Sequence, residues 1–175
     1  VTLRITAKGE TAAGAEELIR KAEEEIRSRT GQYFYGYNDT TLMKEAIALL
    51  KEREWTISAA ESLTGGMFQE ELTRIPGAGL ILKGGIVCYT NEAKQKLLQI
   101  KESTINEHGV VSEACAIEMA ENIKKLLGSD VGISFTGVAG PDELEGNPVG
   151  TVYIGLSLPG RKPFAKKLNL GGMRE

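Results

Sequence analysis

Two short segments combine a hydroxyl side chain with glycines, the residue types of a hydrolytic or anion-binding site. The first is Ala60-Glu61-Ser62-Leu63-Thr64-Gly65-Gly66, and the second is Thr136-Gly137-Val138-Ala139-Gly140-Pro141. A serine hydroxyl becomes a strong nucleophile once a neighbouring base accepts its proton. Glycines leave backbone N–H groups unobstructed, and such groups stabilise the negative charge of a phosphate or of an oxyanion.

A third segment, Val87-Cys88-Tyr89-Thr90-Asn91-Glu92-Ala93-Lys94, has the same layout and adds a lysine. Lys94 falls in the first turn of a predicted helix, where its charge opposes the helix dipole. A neutral lysine amine can serve as the general base for a serine. The alternative is a surface lysine in the run Lys94-Gln95-Lys96, with Tyr89 as half-buried packing. Spacing by itself leaves both interpretations open.

The other candidates also have plain structural alternatives. Ser62 would otherwise cap a helix with a glycine-rich first turn, Thr136 would open an ordinary strand-to-helix turn, and Glu61 would point into solvent. His108 is the only histidine, which removes a Ser-His-Asp triad unless His108 itself serves. No zinc-ligand spacing is present, so we predict neither a metal nor a cofactor.

The elements that must position these residues follow from periodicity and from capping signals. We predict strands over 56–60, 85–90 and 131–136, and a hairpin of strands over 150–158 and 164–170. Helices are predicted over 42–52, from about 64, over 91–98, and from the cap Ser112 to Leu127, with Gly128 as the stop. The fold class is therefore α/β, a three-layer α/β/α sandwich with a mixed sheet. In such sheets ligands bind at the carboxyl ends of the strands, where all three segments lie.

The first forty residues have a separate pattern. Val1–Ile5 alternates like a strand, Thr11 can cap a helix to about Arg29, and Gln32–Tyr37 reads as a second strand. This predicts a small α+β strand–helix–strand segment at 1–40, too small for independent stability, before a main domain at 41–175.

Composition limits the class of protein. The chain has 175 residues, 41% of them hydrophobic, and a net charge of −3, which disfavours nucleic acid as a partner. No apolar run approaches the roughly 18 residues of a membrane span, and we see no signal peptide. Cys88 and Cys115 lie far apart, typical of buried thiols in a reducing compartment, so we predict a cytoplasmic location. Because the chain begins inside a strand-like run, we expect it to be a piece of a longer protein.

Taken together, the motifs resemble the C-terminal domain of the CinA family, which is similar to nicotinamide mononucleotide deamidases. The resemblance covers nearly everything from Leu42 onward, and its stretches are AESLTGG (60–66), RIPGAG (74–79), GGIVCYTNEAK (84–94), EHGVVSE (107–113), FTGVAGPD (135–142) and NPVGTVYIGL (147–156). The opening VTLRITAKG and the segment YFYGYNDTTL resemble the end of the family's KH-like middle domain. The resemblance also implies that the C-terminal helix of the family's domain is missing here.

The resemblance implies hydrolysis of the carboxamide of nicotinamide mononucleotide, with Ser62 as nucleophile and Lys94 as its base. Tyr89 and Thr136 would position the substrate or the base. The family usually has cysteine at the position of Leu63, so the hydroxyl of Ser62 is the expected nucleophile. The implied substrate-binding residues are Glu61, Thr64, Gly65, Gly66, Gly137, Gly140 and Arg174. Arg174 comes from Gly171-Gly172-Met173-Arg174, which resembles the family's Gly-Asp-Arg turn with Met173 in place of the acidic residue.

Further expectations concern charge, partners and the competing function. We expect the Gly65 and Gly66 amides to hold the oxyanion, and Arg174 or the Gly137–Gly140 loop to hold the phosphate. The expected partners are a pyridine nucleotide and further copies of the chain in a homo-oligomer. The alternative is a competence- or DNA-damage-associated binding or regulatory domain with little or no activity. The first forty residues have no Gly-x-x-Gly clamp and carry an acidic helix, which disfavours nucleic acid.

Overall fold

The computed structural model describes residues 2–171, and the chain divides into two compact units, Val1–Glu45 and Ala46–Glu175. All strands of the described residues lie in the second unit: β1 (Ile57–Glu61), β2 (Leu82–Val87), β3 (Val131–Gly137), β4 (Thr151–Ser157) and β5 (Phe164–Asn169). The helices are α1 (Ala12–Thr30), α2 (Leu42–Glu52), α3 (Met67–Thr73), α4 (Asn91–Leu98), α5 (Glu102–His108) and α6 (Glu113–Leu127). Short 3-10 helices lie at Gly31–Tyr33 and Ala78–Leu80.

The five strands form one mixed sheet in the order β2-β1-β3-β4-β5. The central strand β1 pairs in parallel with β2 and β3, whereas β4 and β5 are added in antiparallel fashion. Every residue of β1 is buried, as expected for a parallel strand covered on both faces. The predicted mixed sheet is therefore confirmed.

Helices cover both faces of this sheet. Ser134 of β3 donates a hydrogen bond from its hydroxyl to the carbonyl of Ala116 in α6, at 2.6 Å. The next residue, Phe135, packs against Phe68 of α3 with ring centroids 5.1 Å apart. Because successive strand residues point to opposite faces, α6 and α3 lie on opposite sides of the sheet. The predicted three-layer α/β/α sandwich is confirmed.

The core on the α6 side contains both cysteines. Cys88 and Cys115 are free and fully buried, in a cluster that includes Leu98, Met119 and Ile123. Burial raises the pKa of the Cys115 thiol to about 12, and it raises the pKa of Cys88 as well. Both thiols therefore stay protonated at neutral pH and serve as small core residues.

Local capping signals located most helices correctly. The Ser112 hydroxyl accepts from the Cys115 amide at the start of α6, and Gly128 ends that helix with a φ of 61°. The second strand was predicted three residues too late, because Cys88 to Thr90 leave the sheet and lead into α4. Helix α5 was not predicted at all, since it is short and mostly polar, and His108 is its last residue.

The first unit contains the predicted helix without the two predicted strands. The Thr11 hydroxyl accepts from the Gly14 amide and starts α1. Residues 2–40 contain no strand, and Gly31–Tyr33 forms a 3-10 helix. The strand predictions for 1–5 and 32–37 are wrong within the described residues because a strand needs a hydrogen-bonded neighbour. After the 3-10 helix, Phe34 and Tyr37 pack against the guanidinium of Arg27, which lies 4.2 Å and 5.6 Å from their ring centroids.

Candidate active site

Ser62 is held at the carboxyl end of the central strand. β1 ends at Glu61, and the Ser62 amide continues the ladder by donating to the carbonyl of Phe135 in β3 at 2.9 Å. The residue is only 7% exposed. Its hydroxyl therefore has a fixed position at the edge of the sheet where α/β proteins bind ligands.

Lys94 reaches the same point from α4. The Thr90 hydroxyl caps this helix by accepting from the Ala93 amide at 3.1 Å. The Lys94 side chain is buried, and its Nζ lies 3.0 Å from the Ser62 Oγ. The same nitrogen lies 3.1 Å from the Cys88 carbonyl and 3.4 Å from the Tyr89 carbonyl. The sequence interpretation of Lys94 as a surface lysine is wrong.

The Lys94 Nζ has three oxygen partners, and either an ammonium or a neutral amine can form hydrogen bonds with all three. Two amine hydrogens can go to the two carbonyls, which leaves the nitrogen lone pair for the proton of Ser62. No carboxylate of the described residues forms an ion pair with Lys94. The geometry places the Lys94 Nζ within hydrogen-bonding distance of the Ser62 hydroxyl.

Thr136 and Tyr89 are close to this pair in different ways. Thr136 is buried near the end of β3, and its hydroxyl donates to the Val110 carbonyl at 2.7 Å. The Tyr89 side chain is 56% exposed, so it is the backbone carbonyl of Tyr89 that contacts Lys94. Both residues line the cavity above the Ser62–Lys94 pair.

The cavity has a volume of about 320 Å³, the size of a small-molecule site rather than of a macromolecular groove. Ser62, Lys94 and Thr136 lie at its floor. Its walls come from the segment Val110–Val111, from Gly137 at the end of β3, and from the following loop, which contains Gly140. Sequence reasoning missed Val110, Val111 and Asn91 as lining residues. Asn91 had a usable signal, because it follows the helix cap at the same strand end as Lys94.

Glu61 has a structural role that the sequence did not indicate. Its carboxylate is fully buried and accepts from the amides of Gly66, Phe68 and Gln69 at 3.0, 3.1 and 3.0 Å, and from the Gln69 side chain at 3.0 Å. It therefore caps the start of α3. Glu61 does not line the cavity and does not face solvent, so neither sequence interpretation of this side chain describes its position.

The electrostatics of Glu61 follow from this cage of donors. Burial would raise the pKa of the carboxyl, but donors outweigh it and the pKa lies below its ordinary value. The Thr64 hydroxyl is buried, and it contributes to this lowering of the pKa. Thr64 does not line the cavity either. Glu61 and Thr64 are therefore part of the turn that supports Ser62.

The glycine amides are not available for an oxyanion. The Gly65 amide donates to the Ser62 carbonyl at 3.1 Å, and the Gly66 amide is held by Glu61. Both glycines have positive φ, 60° and 107°, which explains why this turn needs them. Our expectation of an oxyanion hole at Gly65 and Gly66 is wrong. In the turn directly after Ser62, the amides of Leu63 and Thr64 have no protein acceptor among residues 2–171.

Other expectations for the site have separate outcomes. Arg174 lies outside the described residues, so the structure does not place it. Among residues 2–171 no group of three or more His, Cys, Asp or Glu side chains is arranged to hold a metal ion. No helix in the part of the chain that the structure describes is long and apolar enough to cross a membrane.

The fold and the site define an α/β/α protein with a buried serine–lysine pair beneath a small-molecule cavity. Residues 39–175 match the family model described as CinA C-terminal domain, and residues 1–36 match the model described as Damage-inducible protein CinA KH domain. The chain belongs to the CinA family.

Relatives carry "competence-damage inducible protein" in their names. A relative from Geobacillus sp. (strain WCH70) is 54% identical over 175 residues, which is 100% of this chain and 42% of the relative. A second, from Bacillus pumilus (strain SAFR-032), is 57% identical over 157 residues, or 90% of this chain and 38% of the relative. The chain thus spans about two fifths of the length of these relatives.

Solved structures of the family have the same fold. The competence damage-inducible protein A of Klebsiella pneumoniae subsp. pneumoniae MGH 78578 superimposes with a TM-score of 0.72 at 34% identity, covering 75% of this chain and 82% of that chain. The CinA superfamily protein of Enterobacter cloacae gives a TM-score of 0.73 at 28% identity, covering 79% of this chain and 85% of that chain.

Proposed function

We propose that this chain is an amidohydrolase that converts nicotinamide mononucleotide to nicotinate mononucleotide and ammonia. The observation that carries the proposal is the 3.0 Å contact between the Lys94 Nζ and the Ser62 Oγ, both buried beneath the cavity. The class of substrate comes from the resemblance of the CinA C-terminal domain to nicotinamide mononucleotide deamidases. Hydrolysis of an amide is the chemistry that a serine activated by a base performs.

In the first half-reaction the Ser62 oxygen attacks the carboxamide carbon while Lys94 accepts the hydroxyl proton. The tetrahedral intermediate carries a negative oxygen, and the amide of Leu63, a residue that lines the cavity, has no protein acceptor among the described residues and can stabilise this charge. The C–N bond then breaks, and the ammonium of Lys94 returns the proton to the departing nitrogen. Ammonia leaves, and the pyridine carbonyl stays on Ser62 as an ester.

In the second half-reaction water replaces ammonia. Lys94, again neutral, accepts a proton from the water that attacks the ester carbon. The ester bond breaks, the proton passes from Lys94 to the Ser62 oxygen, and the pyridine carboxylate is released. The carbonyls of Cys88 and Tyr89 hold the amine in one orientation through both steps, which is the role of an orienting group in such sites.

The test is ammonia release from nicotinamide mononucleotide by the parent chain and by Ser62→Ala, Lys94→Ala and Lys94→Arg. Each substitution is expected to reduce kcat by at least about 100-fold, the scale on which a general base contributes. Lys94→Arg is informative because a guanidinium still donates hydrogen bonds but stays protonated near neutral pH and cannot act as a base.

Matched controls are available on α4 and on the neighbouring α5. Lys96 lies two residues from Lys94, its side chain is 72% exposed, and it forms an ion pair with Glu92 at 2.7 Å. Lys96→Ala and the exposed-serine variant Ser103→Ala should keep parental kcat and KM. Equal ammonia release by the parent and Ser62→Ala would reject the serine–lysine mechanism. A parent without release, in a chain that binds the nucleotide, would favour the regulatory domain instead.

A further inference from the structure

One wall of the cavity is a loop, and different contacts hold the base of this loop and its distal part. The 139–147 loop connects β3 to β4 and contributes most of the wall, from Ala139 to Leu144. At its base, the Val138 amide donates to the Thr151 carbonyl and the Gly150 amide donates to the Val138 carbonyl, both at 2.9 Å. These bonds continue the antiparallel ladder and fix where the loop starts and ends.

The distal part of the loop is tied to Val111 by two side chains. The Glu145 carboxylate accepts from the Val111 amide at 3.1 Å. The Asn147 side-chain amide donates to the Val111 carbonyl at 3.2 Å. Leu144 and Asn147 also exchange backbone hydrogen bonds of 3.1 and 2.9 Å, which close the turn between the two tethers.

Residues 109–111, which include the Val111 contacted by Glu145 and Asn147, leave room for the Glu145 carboxylate. Gly109 has a φ of 77°, and a Cβ there would lie 2.3 Å from a carboxylate oxygen of Glu145. A larger residue would displace the carboxylate. The next carbonyl, of Val110, accepts from the Thr136 hydroxyl at the cavity floor. Residues 109–111 thus connect the floor of the cavity with its wall.

We propose that Glu145 and Asn147 are positioning residues that hold the 139–144 wall against bound substrate. The inference rests on the proposed function, because it concerns affinity for the same substrate. Neither residue lines the cavity, so both act through the wall that they tether. A wall released from Val111 must be ordered again each time substrate binds, and that entropy cost weakens binding. The Ser62–Lys94 contact depends on β1 and α4, and its geometry should not change.

The kinetic test separates affinity from chemistry. For Glu145→Ala and Asn147→Ala we expect KM for nicotinamide mononucleotide to rise about tenfold, with kcat within about threefold of the parent. Glu145→Gln retains a carbonyl acceptor for the Val111 amide and should restore most of the affinity. Glu107→Ala, at an exposed carboxylate on neighbouring α5, is the matched control and should leave both constants unchanged.

Hydrogen exchange of the Val111 amide supplies a readout independent of turnover. Exchange should accelerate at least about tenfold in Glu145→Ala and return toward the parental rate in Glu145→Gln. Accelerated exchange with an unchanged KM would overturn the proposal, as would a loss of kcat at constant KM.

Direct binding distinguishes failure of this inference from failure of the proposed function. If the parent binds nicotinamide mononucleotide in a calorimeter but releases no ammonia, the amidohydrolase proposal fails, while weaker binding by Glu145→Ala and Asn147→Ala still supports the positioning role. Equal binding by parent and variants overturns the positioning role alone. A parent that neither binds nor hydrolyses the nucleotide overturns both.

Discussion

The Lys94 amine contacts three oxygen atoms, and only one of them belongs to a side chain. Lys94 and Leu98 are four residues apart and share the buried face of α4, whereas Lys96 lies on its exposed face. A lysine therefore occupies a position where a helix normally places an apolar residue. Such a buried, oriented amine next to a serine is typical of a functional site, because the core itself gains little from it.

The buried carboxylate of Glu61 leads to a prediction about stability. Glu61→Gln places an amide where four donors converge, so one N–H of the new side chain faces other N–H groups. We expect the free energy of unfolding at neutral pH to fall by about 2–3 kcal/mol, the scale of hydrogen bonds to a charged group. Urea titration of the parent and the variant measures this difference, and no change in the midpoint would contradict the capping role.

The same variant has a pH signature. Because the folded-state pKa of Glu61 lies below its ordinary value of 4.5, its contribution is fully present above about pH 4.5 and is lost as pH falls through the folded-state pKa. The difference in unfolding free energy between the parent and Glu61→Gln should therefore narrow on acidification below that pH. A difference that stays constant from neutral pH into this acidic range would show that ionisation of Glu61 is not the source of its stabilisation.

At the scale of elements, the contact between α6 and the sheet depends on two glycines. A Cβ at Gly132 would lie 2.0 Å from the Ala120 carbonyl oxygen, and one at Gly155 would lie 2.2 Å from that of Ala116. The helix backbone thus rests directly on β3 and β4. This close packing sets the distance of α6 from the sheet, and residues 109–111 immediately precede that helix.

Gly155→Ala tests this packing. The added methyl group must displace α6 backbone, so we expect a loss of about 1–3 kcal/mol in the free energy of unfolding, as for overpacked cores. Gly79→Ala is the matched control, because a Cβ there meets no atom within 4 Å and its φ is not in the left-handed region. Thermal and urea unfolding of the two variants measure the contrast, and equal stabilities would show that α6 can move away at little cost.

At the scale of the molecule, the candidate site belongs to one of the two units. Every described residue of the cavity lies in Ala46–Glu175. The first unit has its own interactions, including the packing of Arg27 on Phe34 and i,i+4 ion pairs along α1 such as Arg29 with Glu25. Surface pairs of this kind contribute little to stability.

This division predicts that disruption of the first unit leaves the chemistry intact. Arg27→Ala removes the cation that packs on Phe34 and Tyr37, and kcat and KM for ammonia release should stay within about twofold of the parent, since no described cavity residue is touched. Steady-state kinetics on the full chain provide the measurement. A large change in either constant would mean that the first unit takes part in the site.

The sequence alone determined most helices and the carboxyl-end location of the site. Caps such as Thr11 and Ser112 act within three residues of themselves, so α1 and α6 could be located without any tertiary information. Ser62, Lys94 and Thr136 could be selected because each follows a strand-like run. Their placement at one edge required only that parallel strands share a direction.

Tertiary structure decided which atoms meet. Ser62 and Lys94 are 32 residues apart, and their contact depends on the register of β1 with β2 and on the direction in which α4 leaves the sheet. The tertiary structure also showed that Glu61 caps α3 and that the Gly65 and Gly66 amides already have acceptors. It showed that Glu145 accepts from the Val111 amide, and that residues 2–40 contain no strand. Local signals determine elements because they involve neighbouring residues, whereas contacts between distant residues depend on the assembly of the whole sheet.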